Sequence, residues 1–359
     1  MTDTAVPSGR LGPLIGRAVE RTIQRGLKGL NFVVSDAPDV GQTPKDLIYQ
    51  RGTLRLYHYH PQADEIYRVP LLLVMATTNR GYVFDLAPGQ SMVEYLLRAG
   101  FDVYAIDWES PAPEERNLGL ADYTADFLPT CVRLVNEDCG EPDVSLVGYC
   151  MGGVLSLIYA ATHPDSQPKN LVCFTTPVNW HEMGLMRQWT DPRYFDLDRL
   201  VDSLGIVPTD FVLNGFEMLR PAQRTAGRIR AWDNMWNDDY VRSYRAFDRW
   251  SNETLPLAGK YFRETTRDLM WGNKLYDGTL RVGGAPARLD SIRAPIFHGI
   301  ALHDHIVPYA ASKPLLEKVS SPDRQEMVLR GGHVSVIAGP NAARRLWPAF
   351  SSWLAERST

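Results

Sequence analysis

One cysteine lies between glycines where the chain turns from a strand into a helix. The segment "VSLVGYCMGG", residues 144–153, begins as a short apolar run and continues directly into "VLSLIYAATH". A strand, a Gly-x-Cys-x-Gly turn and a helix can raise a nucleophile above a sheet, because glycine tolerates the sharp turn and the helix N-terminus stabilises negative charge. The pattern predicts a nucleophilic Cys150. An isolated motif of this kind would also fit a buried cysteine at a tight turn.

Two residues farther along the chain could complete a catalytic triad. Asp304 follows an apolar strand in "PIFHGIALHDHIVP", and His333 follows the last one in "QEMVLRGGHVSV". Enzymes of the α/β-hydrolase fold carry nucleophile, acid and histidine in this order, each after a strand. We therefore expect Cys150, Asp304 and His333 to act together. A loop aspartate and a core histidine are the alternative interpretations of the last two.

The other histidines are weaker candidates for this chemistry. His303 and His305 flank Asp304 and could suggest a metal site. Three adjacent residues cannot all turn towards one ion without distortion, so we expect no metal here.

Alternating strand and helix signals surround the candidate residues from about residue 51 onward. "VPLLLVMAT", "FDVYAIDW", "DVSLVG" and "KNLVCFTTP" are continuous apolar runs, which are typical of strands buried on both faces of a parallel sheet. Helical segments such as "GQSMVEYLLRAG" and "ADYTADFLPTCVRLVNED" lie between them. The alternation predicts an α/β protein with a mainly parallel sheet and helices on both faces.

The alternation stops near residue 180 and resumes near residue 286. The intervening stretch is rich in helix formers and holds six of the nine tryptophans: Trp180, Trp189, Trp232, Trp236, Trp250 and Trp271. We expect an α/β-hydrolase core in two parts, residues 46–180 and 286–359, interrupted by a helical cap or lid at 181–285.

Residues 1–45 form a separate N-terminal amphipathic segment in this interpretation. Four apolar residues recur at helical spacing beside a basic face: Val19, Ile23, Leu27 and Leu30. The segment could be a helix docked on the rest of the fold, or a basic helix that binds a partner or an apolar surface.

Composition narrows the class of protein further. The 359 residues are 44% hydrophobic and 22% charged, with a formal net charge of -4, so nothing indicates nucleic-acid binding. The four cysteines lack metal-ligand spacing, which indicates a reduced, cytoplasmic setting. The longest apolar run is far shorter than the roughly 20 residues of a membrane helix. The start "MTDTAVPSGRLG" also lacks a signal-peptide pattern.

From about residue 45 onward the chain resembles the polyhydroxyalkanoate (PHA) synthases, and among them the short catalytic subunits of class III and class IV. The resemblance rests on "NRGYVFDLAPGQS", "VYAIDWESP", "LVGYCMGG", "TTPVNW", "FEMLRP", "FDRWSNETLPLAGKYFRE", "LHDHIVP" and "GGHVSV". Two residues depart from the family pattern. Gly81 stands where proline is usual, and Asn179 where aspartate is common.

The resemblance implies an acyltransferase that polymerises (R)-3-hydroxyacyl coenzyme A, with short acyl chains such as 3-hydroxybutyryl, and releases coenzyme A. By motif, Cys150 would carry the growing acyl chain and His333 would take its proton. Asp304 would act on the substrate's 3-hydroxyl, directly or through His333. Backbone N–H groups of Met151 and Thr78 would stabilise the oxyanion.

The family also implies partners and a location. We expect no cofactor beyond the coenzyme A of the substrate, a second non-catalytic synthase subunit, a homo-oligomer, and association with cytoplasmic PHA granules. Two rival functions remain open. One is a cysteine-dependent hydrolase of thioesters or lactones on the same fold, and the other is a non-catalytic granule-associated protein.

Overall fold

An eight-stranded sheet forms the centre of the protein. The computed structural model describes residues 20–26, 28, 29, 32 and 38–359. The sheet order is β1-β2-β4-β3-β5-β6-β11-β12. β1 and β2 pair antiparallel, as do β2 and β4, and all other neighbours are parallel. The strands are β1 (Lys45–Arg51), β2 (Leu54–Tyr59), β3 (Leu71–Val74), β4 (Val103–Trp108), β5 (Ser145–Tyr149), β6 (Asn170–Phe174), β11 (Ile296–Ala301) and β12 (Arg324–Leu329).

Helices cover both faces of this sheet and fill the gap between its sixth and seventh strands along the chain. They are α1 (Met92–Arg98), α2 (Leu128–Cys139), α3 (Met151–Thr162), α4 (Leu185–Trp189), α5 (Leu197–Leu204), α6 (Thr209–Leu219), α7 (Pro221–Asp233), α8 (Asp238–Asn252), α9 (Gly259–Glu264), α10 (Tyr309–Ser312), α11 (Leu315–Lys318) and α12 (Trp347–Ala355). The α/β-hydrolase fold predicted from the sequence is confirmed.

The central strands are buried along their whole length. Every residue of β3, β5 and β6 is buried, as the continuous apolar runs predict for a sheet covered on both faces. Helix α3 packs in the same core and buries ten of its residues. The elbow at Cys150 thus joins two of the most enclosed elements of the fold.

The segment between β6 and β11 is helical, and we call residues 181–285 the cap. It contains α4 to α9 and two short two-stranded sheets: β7 (Ile206–Val207) with β8 (Leu257–Ala258), and β9 (Arg281–Val282) with β10 (Ala285–Pro286). Its tryptophans have different environments. Trp250 is buried, whereas Trp232 is 52% exposed.

Residues 20–26, 28, 29 and 32 of the N-terminal segment are helical, and this helix contacts the cap. The Arg21 guanidinium lies 4.4 Å from the centre of the Trp236 ring, and the Lys28 ammonium lies 2.6 Å from a carboxylate oxygen of Asp238. Ile23 is 59% exposed. The helix therefore meets the cap through its basic side. The other three residues of the predicted apolar stripe, Val19, Leu27 and Leu30, lie outside the described residues.

Some elements were not anticipated from the sequence. Strand β1 extends the sheet by an antiparallel edge, and its residues show no clear alternation of buried and exposed positions. Residues 38–359 also contain three π-helical turns, at Asp122–Phe127, Thr265–Trp271 and Ala342–Leu346. Within the described residues, no helix is both long and apolar enough to cross a bilayer.

Candidate active site

Cys150 occupies a strained turn at the carboxyl end of β5. Its φ is +53° and its ψ is −120°, in a region that residues with a side chain rarely adopt. Its amide donates to the carbonyl of Phe174 at the end of the neighbouring strand β6, over 2.9 Å. Helix α3 begins at the next residue, Met151. The thiol is therefore raised at the end of the sheet and beside a helix N-terminus, as the motif predicts.

The glycines of the elbow allow three strands to converge on the first turn of α3. A Cβ added at Gly152 would lie 2.0 Å from the carbonyl oxygen of Val74, at the end of β3. A Cβ at Gly153 would lie 1.9 Å from the hydroxyl of Thr176, just after β6. These contacts leave no room for side chains, so the glycines are needed for packing.

The loops that carry Asp304 and His333 are joined by backbone hydrogen bonds. The amide of Leu302 donates to the carbonyl of Leu329, and the amide of His303 donates to that of Gly331, over 2.8 and 2.9 Å. Because β11 and β12 are parallel neighbours, both loops leave the same edge of the sheet as the elbow.

These loops bring Asp304 and His333 into direct contact. The Nδ1 atom of His333 lies 2.6 Å from the Oδ2 atom of Asp304. The other carboxylate oxygen, Oδ1, accepts hydrogen bonds from the amides of Ile306 and Val307 over 2.8 and 2.9 Å. His333 also interacts electrostatically with Cys150, whose side chain helps to raise the pKa of the imidazole. The structure thus brings the three predicted residues together, with His333 bonded to Asp304 and in electrostatic interaction with Cys150.

Burial and charge oppose each other at this histidine. Burial lowers the pKa of His333, but the charges of Asp304 and Cys150 and the hydrogen bond to Asp304 outweigh this effect and raise the pKa to about 10. The side chain of Asp304 is 0% exposed and that of His333 is 6% exposed. The site therefore favours a positively charged imidazole beside the Asp304 carboxylate, away from solvent.

Two backbone amides at the elbow are candidates for an oxyanion hole. Met151 opens α3, so its N–H has no acceptor within the helix. Thr78 lies in the loop that follows β3, whose end touches the elbow at Gly152. Among the hydrogen bonds of the described residues, neither N–H has an acceptor. Their roles in catalysis remain predictions.

Aromatic residues that the sequence analysis did not single out surround the triad. The ring of Tyr149 lies 4.9 Å from that of His333, and its buried hydroxyl has no partner in the described structure. Tyr261 of the cap is 2% exposed and accepts a hydrogen bond at its hydroxyl from Thr77 over 3.2 Å. Tyr261 lies within the motif "LAGKYFRE", but the motif does not reveal which of its residues faces the site.

The remaining histidines do not join the triad. His303 is exposed, and His305 is half-buried, where burial and the nearby Arg220 lower its pKa. His58 lies on β2 and pairs instead with Asp102, just before β4, over 2.7 Å. The described residues contain no cluster of ligands suited to a metal ion.

The two departures from the family pattern have structural counterparts. The amide of Gly81 donates to the Oδ1 atom of Asp107 over 2.6 Å, a bond that proline could not make. The side-chain oxygen of Asn179 accepts a hydrogen bond from Asn273 over 2.9 Å, which an aspartate could also accept.

Solved structures with the same overall arrangement are enzymes of the α/β-hydrolase type. A soluble variant of monoglyceride lipase from Saccharomyces cerevisiae matches with a TM-score of 0.56 at 13% identity, over 91% of this chain and 98% of that one. Monoacylglycerol lipase from Paleococcus ferrophilus matches with a TM-score of 0.52 at 20% identity, over 82% and 96%. At these identities the similarity establishes the fold alone.

Sequence comparisons identify the family. Residues 72–340 match the model described as alpha/beta hydrolase fold, and residues 28–96 match that of the poly-beta-hydroxybutyrate polymerase (PhaC) N-terminus. The chain is 34% identical to the poly(3-hydroxyalkanoate) polymerase subunit PhaC of Allochromatium vinosum, covering 94% of this chain and 95% of that protein. It is 33% identical to the same subunit of Haloferax mediterranei over 89% of this chain, but spans only 65% of that longer relative. The chain therefore belongs to the poly(3-hydroxyalkanoate) polymerase family, built on the α/β-hydrolase fold.

Proposed function

We propose that this protein polymerises (R)-3-hydroxyacyl coenzyme A into a polyester through an acyl-cysteine intermediate, with 3-hydroxybutyryl coenzyme A as a preferred substrate. The observation that carries the proposal is the connected set of Cys150, His333 and Asp304 at the carboxyl edge of the sheet. Family membership supports the polyester product, because the curated relatives are named as poly(3-hydroxyalkanoate) polymerases.

Acylation begins with attack of the Cys150 sulfur on the thioester carbonyl, while His333 holds the thiol proton. The oxyanion that forms is stabilised by the N–H groups of Met151 and Thr78. When the C–S bond to coenzyme A breaks, His333 returns the proton to the departing thiolate. The acyl group then remains on Cys150 as a thioester.

Elongation uses the same base. The 3-hydroxyl of one acyl unit attacks the thioester carbonyl of another, His333 takes the hydroxyl proton, the ester C–O bond forms and the thioester C–S bond breaks. Asp304 acts through His333 in this step, since Oδ1 is held by two backbone amides and Oδ2 by the imidazole. A carboxylate with both oxygens occupied and no exposed surface has no position from which to bind the substrate hydroxyl.

A cysteine suits this reaction better than a serine would. Transfer from coenzyme A to a thiol exchanges one thioester for another, so the acyl group stays activated for ester formation. The imidazolium of His333 stabilises the negative charge that the sulfur carries during exchange. Water would end the chain by hydrolysis, and the cap supplies Tyr261 as one buried cover over the site.

The remaining expectations are part of this proposal. A second, non-catalytic subunit and self-association would complete the working enzyme, and cytoplasmic granules of the product would be its location. The chain needs no cofactor for the steps above.

Product analysis tests the proposal. Wild-type protein mixed with 3-hydroxybutyryl coenzyme A should release coenzyme A and form insoluble polyester, whereas a hydrolase would give free 3-hydroxybutyrate. Cys150→Ala should abolish coenzyme A release with an unchanged circular dichroism spectrum, because alanine is small and fits the same turn. Turnover by this variant at the wild-type rate would refute the acyl-cysteine mechanism. Release of coenzyme A without polyester would support the hydrolase alternative.

A further inference from the structure

The loop that carries Thr78 is bonded to the cap over three consecutive residues, 78–80. The amide of Leu255 donates to the carbonyl of Thr78 over 2.7 Å. The indole Nε1 of Trp250 donates to the carbonyl of Arg80 over 2.8 Å. Both donors come from the cap, at the carboxyl end of α8 and just beyond it. The loop and the end of this helix therefore hold each other in place.

A contact between two side chains lies between these two hydrogen bonds. The Nδ2 atom of Asn79 donates to the hydroxyl of Thr254 over 3.2 Å, and the two residues also form an isolated antiparallel bridge. Asn79 is 9% exposed and Thr254 is 5% exposed. These bonds are shielded from water, which makes them costly to break.

The Trp250 bond fixes a whole peptide unit. A trans peptide directs its C=O and its N–H in opposite directions. In the unit that joins Arg80 to Gly81, the oxygen accepts from Trp250 while the N–H of Gly81 donates to Asp107 over 2.6 Å. This unit is held from both sides, by the cap on one and by the end of β4 on the other.

The N–H of Thr78, which has no acceptor among the described residues, lies between anchored groups. The hydroxyl of Thr77 on one side is bonded to Tyr261, and the carbonyl of Thr78 on the other is bonded to Leu255. An oxyanion donor must point at the developing charge without reorganisation. The direction of this N–H therefore depends on how firmly the cap holds residues 77–80.

We propose that Trp250 is a positioning residue for the oxyanion hole: its indole N–H holds the loop that presents the Thr78 amide to the reacting carbonyl. The inference rests on the proposed function in that it assigns the Thr78 amide to the oxyanion. Trp250 does not touch the reacting atoms in this role. It acts through the backbone of residues 78–80.

A purely structural role for Trp250 makes different predictions. The side chain is 6% exposed and its ring lies 5.9 Å from that of Phe247, so it also contributes to packing. Loss of packing would disturb every property of Cys150, including its reactivity in reactions that form no oxyanion. Loss of loop positioning would affect only reactions that do.

The test compares two reagents on one variant. Trp250→Phe keeps an aromatic ring and removes the indole N–H. Acetylation of Cys150 by p-nitrophenyl acetate passes through an oxyanion, whereas alkylation by iodoacetamide is a displacement at carbon that does not. We expect acetylation to slow by about 10- to 100-fold, in line with the effect of a displaced oxyanion donor. Alkylation should stay within about twofold of wild type if the oxyanion loop alone is affected.

Trp271→Phe is the matched control, because its indole also donates to a cap carbonyl, that of Thr190, but has no bond to residues 78–80. It should leave both rates unchanged, and Cys150→Ala supplies the background. An unchanged acetylation rate in Trp250→Phe would overturn the proposal. So would equal slowing of both reactions, which would indicate general damage. Neither reagent depends on the natural substrate, so failure of the polymerase assay would leave this result distinct.

Discussion

Replacement of Asp304 by asparagine should disable His333 by forcing the wrong tautomer. The Oδ1 position of Asp304 accepts from two backbone amides, so it must hold an oxygen in the variant as well. The asparagine NH₂ would then occupy the Oδ2 position and face the Nδ1 atom of His333, 2.6 Å away in the native protein. A donor at this position requires Nδ1 to accept, which places the imidazole proton on Nε2. The imidazole can then no longer take a proton from Cys150.

The expected loss is large, because geometry is kept while the base is removed. The equivalent change in serine protease triads lowers the turnover rate about 10⁴-fold, and we expect a decrease of about 10³- to 10⁴-fold in the acylation rate here. The negative charge that helps hold the pKa of His333 near 10 is also lost, so the imidazolium becomes less stable. Intact-mass spectrometry at short times after mixing with 3-hydroxybutyryl coenzyme A measures acyl-enzyme formation directly.

The control for this prediction is Asp290→Asn, which removes an exposed carboxylate paired with Arg288 and should leave acylation unchanged. The reasoning would be refuted if Asp304→Asn acylated at the wild-type rate and accumulated a short acyl chain. That outcome would mean that Asp304 acts on the substrate hydroxyl directly, despite the occupation of both its oxygens.

Three further predictions follow from the same geometry. The pKa of His333 in the folded protein, about 10, lies above its ordinary value of 6.5, so its charge contributes stability below pH 6.5 that is lost as pH rises through 10. His333→Gln should therefore reduce the fall in unfolding free energy between pH 6.5 and 10. An unchanged pH dependence of the unfolding free energy in urea titrations would contradict this prediction. Gly152→Ala should destabilise the protein by more than about 3 kcal/mol, because its Cβ would lie 2.0 Å from the Val74 carbonyl oxygen. The control is Gly215→Ala inside α6, where an added Cβ would meet no atom within 4 Å apart from the backbone of its own helix. It should stabilise the protein by about 0.5–1 kcal/mol, and equal effects of the two changes would show that the elbow tolerates a methyl group. Gly81→Pro should lower the unfolding free energy by about 1–3 kcal/mol in the same assay, since it removes the amide that bonds to the largely buried Asp107 carboxylate. Unchanged stability would mean that the bond is dispensable.

Local sequence patterns were enough to predict the parallel strands, the turn at Cys150, and the positions of Asp304 and His333 just after two strands. Continuous apolar runs fix buried parallel strands, and a Gly-x-Cys-x-Gly turn between a strand and a helix has few structural solutions. Chain order then places Asp304 and His333 after neighbouring strands. These predictions depend on short segments and on the general topology of the fold.

Contacts between distant segments could not be predicted in this way. The bonds from Trp250 and Leu255 to residues 78–80 join positions about 170 residues apart, and nothing in either segment specifies its partner. The N-terminal helix shows the same limit. The sequence left open whether this helix docks on the fold or binds a partner, and in the structure Arg21 and Lys28 contact the cap while Ile23 is exposed.

Because strands converge on the elbow, the adjacent residues Gly152 and Gly153 differ in how readily they can be substituted in evolution. The space of a side chain at position 153 is filled by the hydroxyl of Thr176, which is itself open to mutation. A smaller residue at 176 could therefore permit alanine at 153, and the two positions can drift as a pair. The space at position 152 is filled by the backbone carbonyl of Val74, which no substitution removes. In evolution, Gly153 can therefore be replaced together with Thr176, whereas no substitution elsewhere makes room for a side chain at Gly152.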